Sequence, residues 1–175
     1  MDPAKDVSFL NVGGTVEAEL AAVASGRAKA FMGSPSAAVE AQRQGNHILY
    51  DLGKLNFPYL QAALFTSRAY VANNRPALVK LMQGTSSGVL RMRSDPAYAA
   101  ESYKRYAKLD DDEVAKAAVD ALVDSVPVPP AVSAEGLKNV VQNVATANPK
   151  AAQLDINTLA DPSIADDAQK AGFGV

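Results

Sequence analysis

The sequence predicts an α/β fold, a short parallel βαβαβ unit followed by a mainly helical remainder. Two observations carry that expectation. Up to residue 54, short apolar runs alternate with amphipathic stretches; beyond it, helical periodicity continues almost without interruption. Strands recurring at such short spacing with helices between them are expected to lie parallel, joined by right-handed crossovers. The same change of pattern divides the chain into residues 1–54 and residues 55–175.

Val7-Ser8-Phe9-Leu10-Asn11-Val12 is rich enough in β-branched and aromatic residues for a strand over 7–12, and Gly13-Gly14 stops it. A helix over 15–25 follows, with Val16, Leu20, Val23 and Ala24 on one face and Glu17 and Glu19 in its first turn. Gly26 supplies the left-handed residue that ends it. Lys29-Ala30-Phe31-Met32 predicts a second strand, ended by Gly33. Ser34 as cap and Pro35 at the first position open a helix to Gln44, closed by Gly45. His47 to Leu52 predicts a third strand, and Gly53 to Pro58 is a turn-rich crossing.

Leu60-Gln61-Ala62-Ala63-Leu64-Phe65 predicts one more strand within 59–66. Pro76 to Arg93 then sets Leu78, Leu81, Met82, Val89 and Met92 on one helical face. Asp95-Pro96 starts a helix through Ala107. Asp110 and Glu113 form a start signal for a helix with Val114, Ala117, Ala118, Ala121 and Leu122 on its face. Val126 to Pro130, with three prolines, is an extended link. Ser133 begins a helix with Leu137, Val140, Val141 and Val144 inward, and Asp161-Pro162 opens a last one ending at Gly172.

Composition narrows the function. With 175 residues, 48% of them hydrophobic, the chain is long enough for one full domain or two small lobes without a staple. Cysteine is absent, which excludes disulfide frameworks, thiol catalysis and iron–sulfur ligation; a single histidine excludes multi-histidine metal centres. Seventeen basic residues stand against nineteen acidic ones, and neither part carries a basic excess, so a nucleic-acid footprint is missing. No apolar run approaches the ~20 residues of a membrane helix. Met1 to Asp6 holds no apolar signal core.

Few residues remain to carry chemistry. Gly13-Gly14-Thr15 places free N–H groups and a hydroxyl at a helix start, where a carboxylate, sulfonate or phosphate is held well. The same residues also serve as an ordinary strand-to-helix turn. Gly33-Ser34-Pro35-Ser36 repeats that geometry after the second strand. Both turns would lie beyond strand carboxyl ends on one sheet edge, where ligands bind in open parallel sheets. Arg68, just after the last strand, is a cation able to pair with an anion bidentately or to form a surface ion pair. No phosphate-loop or Gly-x-Ser-x-Gly pattern exists. His47 reads as structural, Asp110 to Glu113 as helix capping rather than a calcium loop, and Tyr98, Tyr103 and Tyr106 as packing.

The order of these parts resembles a known family. Asp6 to Gly14, followed by Leu20-Ala21-Ala22-Val23-Ala24-Ser25-Gly26, resembles the second-lobe segment of ABC-transporter solute-binding proteins. The nearest subgroup is the nitrate/sulfonate/taurine type, which includes binders of thiamine-pyrimidine precursors. Gly45 to Leu52 resembles that family's Gly-x-x-x-Leu-x-Asp-Leu strand, and Thr66 to Pro76 its return to the first lobe. Asp95-Pro96, Asp161-Pro162-Ser163 and Gly172-Phe173 resemble its C-terminal helices. Lys29-Ala30 departs from the family's usual Asp-Ala.

The resemblance implies a partial periplasmic-binding-protein type II fold, residues 1–54 belonging to a second α/β lobe and 55–175 returning to the first. Family members are about twice this long, so the chain corresponds to their C-terminal half. It further implies a non-enzymatic, extracytoplasmic protein without a cofactor, capturing a small anionic organic solute for a membrane permease. Gly13, Gly14, Thr15, Ser34, Pro35, Ser36 and Arg68 are the expected ligand-binding residues. The alternative is a ligand-free module that self-associates, since strands and helix faces without the rest of the family's two lobes are left uncovered.

Overall fold

The computed structural model describes residues 2–173. It corrects the fold class: the chain is 62% helical, with neither strand nor sheet among the described residues. The runs 7–12, 29–32, 47–52 and 59–66 therefore form no parallel βαβαβ unit, and of their residues only Leu52 enters regular structure, at the start of the 3₁₀ turn Leu52–Leu55. The reason lies in pairing. The main chain of residues 8–12, 29–33, 47–50 and 60–66 makes no hydrogen bond to any described residue. A strand exists only as one side of a ladder, and local β-propensity cannot supply the other side.

Helices form elsewhere along the chain, several of them at the caps the sequence offers. They are α1 (Pro3–Asp6), α2 (Val16–Ala24), α3 (Pro35–Arg43), α4 (Arg68–Ser94), α5 (Pro96–Ala107), α6 (Asp112–Val123), α7 (Ala134–Ala147) and α8 (Ser163–Ala171). Contacts divide the chain into one unit of Met1–Leu49 with Ala100–Ala121 and another of Tyr50–Ala99 with Leu122–Val175. No helix is long and apolar enough to cross a membrane among the described residues.

In the first unit, α2 and α3 bury Leu20, Ala22, Ala37 and Ala41, and α6 buries Val114, Ala115 and Val119. Small side chains dominate, so the core is thin. Asp111, not Asp110, caps α6, its Oδ1 accepting from the N–H groups of Glu113 (3.1 Å) and Val114 (3.0 Å). The same carboxylate meets Arg43 at the end of α3, whose Nη2 also donates to Glu113 Oε2 at 2.6 Å. That clasp joins α3 to the start of α6.

In the second unit, α4 begins at Ser67, whose hydroxyl accepts from Tyr70 N at 3.0 Å, and so runs eight residues upstream of the expected start at Pro76. Pro76 sits inside it and the helix kinks at Asn74 (φ −131°, ψ 24°), because proline lacks an N–H and disfavours helical geometry just before it. α8 packs on α4, and its Ile164, Ala165 and Ala168 are buried, as is Val89 of α4. Ser86 is fully enclosed, and its hydroxyl is satisfied by donating to Met82 O at 2.7 Å. Arg75 ties α4 to α8 through Asp167 (2.5 Å) and Ser163 Oγ (3.1 Å). α7 packs on the 3₁₀ turns Pro149–Gln153 and Ile156–Thr158, and holds residues 58–60 through Asn139 Nδ2 to Pro58 O at 2.7 Å. A Cβ at Gly136 would stand 3.3 Å from Leu60 N, so the missing side chain permits that approach. Val144, expected inward, is exposed instead.

Candidate functional site

The two polar turns singled out in the sequence both lie in the first unit, each at the start of a nine-residue helix. Gly13 and Gly14 hold φ of +98° and +73°, which side-chain-bearing residues adopt only under strain. They turn the chain from 7–12 into α2, and Gly13 N–H is turned onto Asn11 Oδ1 at 3.0 Å. Thr15, with extended backbone, is the N-cap of α2, its Oγ1 accepting from Ala18 N at 3.2 Å. Glu17 and Glu19 occupy the first turn. Those carboxylates suit the helix dipole themselves and repel a further anion there.

The second turn differs in charge. Ser34 caps α3, accepting from Ala37 N at 3.2 Å, and its hydroxyl lies 2.8 Å from that of Ser36. Pro35 fills the first helical position, where an N–H would go unpaired anyway. No acidic residue stands in the first turn. The serine hydroxyl pair thus lies exposed at a helix start without an acidic first turn. A Cβ at Gly33 would lie 2.8 Å from the Phe31 ring and 3.1 Å from Ala37 Cβ, so those neighbours would have to shift to admit one.

Arg68 belongs to the second unit. It is the first residue of α4, and its Nη2 donates to Thr158 O at 2.7 Å. That bond occupies part of the guanidinium with the 3₁₀ turn Ile156–Thr158. Among the described residues, no hydrogen bond joins the Gly13–Thr15 turn to the Ser34–Ser36 turn, and no group of three or more metal-ligating side chains gathers.

Two shallow open clefts lie elsewhere. One of about 410 Å³ is lined by Glu101, Lys104, Arg105, Lys108, Leu109 and Asp110. Lys104 there is held protonated, its pKa raised first by the hydrogen bond to Asp112. Another of about 420 Å³ runs beside Arg75, Pro76, Val79, Lys80, Gln83 and Asp167. Next to it, Asp161 is pushed below the usual carboxylate range by hydrogen bonds from the Ser163 hydroxyl and N–H, with Arg75 adding to the effect. Asp111 is held down to about 2, chiefly by the Arg43 guanidinium and then by Val114 N–H. These charged pairs tie helices together. The sequence reading missed them because Arg43 and Asp111, like Arg75 and Asp167, are far apart along the chain; only a capping aspartate offered a local signal.

Compared with known proteins, the chain matches no family model, no curated protein and no solved structure.

Proposed function

We propose that the chain is a solute-binding component of an ABC importer, or the C-terminal half of one, serving a small anionic organic solute. The order of motifs along the sequence supports this reading. So does the start of α3, a nine-residue helix capped by Ser34 with no acidic residue in its first turn. Ser34, Pro35 and Ser36 provide the primary contact, Gly13, Gly14 and Thr15 a weaker one, and Arg68 a separate cation. The work is binding rather than catalysis: the chain lacks cysteine and has one histidine with no serine elbow to serve. A membrane permease is the receiving partner, in an extracytoplasmic setting.

A helix terminus contributes about 0.3–1 kcal/mol toward an anion, so binding by this chain is weak, in the millimolar range or above. Amide shifts during titration with sulfate, taurine and small carboxylates test the reading. Shifts are expected to concentrate on residues 33–37, with smaller ones at 13–18. Shifts spread evenly over the surface, or largest outside both turns, would reject the site.

The second reading, a ligand-free module that self-associates, is favoured by a different observation. Phe9, Leu49 and Phe65 are 87%, 83% and 91% exposed within runs that carry no main-chain hydrogen bonds.

A further inference from the structure

The chain exposes 12600 Å². Two separate compact bodies with the residue counts of its units would together expose about 9,800 Å² on the usual mass scaling. About 2,800 Å² is therefore in excess, however the units are arranged. Obligate interfaces bury roughly 2,000–5,000 Å² in total, so the excess on each chain is enough for one.

In the first unit, exposed apolar side chains coincide with runs whose main chain is unpaired. Residues 8–12 and 47–49 carry no formal charge and no proline, the two devices that keep a free strand from pairing with another chain. Phe9, Leu10, Ile48 and Leu49 are exposed there, and the main chain of both runs is unpaired. Residues 29–33 share the unpaired main chain and exposed Met32, but Lys29 marks them as the poorer partner.

We propose that residues 8–12 and 47–49 pair with the same segments of a second copy of this chain, through backbone hydrogen bonds between copies and burial of Phe9, Leu10, Ile48 and Leu49. A second copy is the occupant the observations favour. It brings the same uncharged runs and the same excess area, and a net charge of −2 per chain opposes association only weakly. Such pairing obtains affinity from the main chain and specificity from alternate side chains. The proposal is independent of solute binding, because it uses neither the residues at 13–15 nor those at 33–36.

Light scattering coupled to size exclusion, with hydrogen exchange across the micromolar range, tests it. The expected result is a mass of twice 18.3 kDa, with amides of 8–12 and 47–49 gaining protection as concentration rises. Phe9→Lys and Leu49→Lys should each weaken association by at least about tenfold while helical circular dichroism is retained. A mass of 18.3 kDa throughout would overturn the proposal. So would association with those amides left unprotected, which places the contact elsewhere. The exchange result on the unsubstituted chain decides the matter even where a lysine variant does not fold.

Discussion

The α4–α8 pair and the runs at 8–12 and 47–49 are built from comparable apolar residues, yet they end in opposite states. In the pair, Ile164, Ala165 and Ala168 are buried against α4, and Arg75 closes the seam through Asp167 and Ser163. In the runs, Phe9 and Leu49 stand almost fully in solvent and the main chain has no partner. The difference is one of supply. A helix satisfies its own backbone within four residues and needs a neighbour only for one face. A strand needs a neighbour for its backbone as well, so it remains open until one arrives.

The sharpest way to break this contrast is substitution at matched apolar positions. Ile164→Ala removes a buried side chain from the α4–α8 seam and should cost about 2–4 kcal/mol in urea unfolding. Phe9→Ala in the dilute chain should change stability by no more than about 0.5 kcal/mol, although the ring is larger. Equal losses at the two positions would mean that Phe9 is packed within a single chain, and the contrast would fall.

A smaller effect is expected from pH at the Arg43–Asp111 clasp. The Asp111 carboxyl is held down to about 2, below its ordinary value of 3.8. A group depressed in the folded state contributes stability above its unfolded value and loses that contribution as pH falls through the folded one. The clasp should therefore hold above about pH 4 and loosen progressively toward pH 2, with the amides of Glu113 and Val114 shifting together. Arg43→Ala should move the Asp111 titration up toward 3.8. An unchanged Asp111 titration in that variant would show that capping alone sets its value.

How much of this was legible in the sequence follows the same division. Helix starts were, because their signals are local: Thr15, Ser34 and Ser133 each cap the helix that follows, as their positions before apolar periodicity indicate. The start of α4 lies at Arg68 rather than Pro76, and it was hidden because Ser67, the actual cap, follows a run that reads as a strand. The runs themselves were legible as apolar and β-prone, but their pairing was not, since a ladder depends on what lies opposite rather than on the run. At the candidate site, the two turns were legible as helix starts. The acidic first turn of α2, already visible in Glu17 and Glu19, separates it from α3 as a place for an anion. That Arg68 would be engaged by Thr158 O was not legible, for the two are 90 residues apart.

Site-resolved hydrogen exchange on the chain diluted until its mass is 18.3 kDa tests the central contrast most directly. Amides within α4 and α8 should be protected, while those of 8–12, 47–50 and 60–66 exchange at the rate of an unstructured peptide. Protection of those three runs in the monomer, equal to that of α4, would mean that they form a ladder within one chain and would contradict the account.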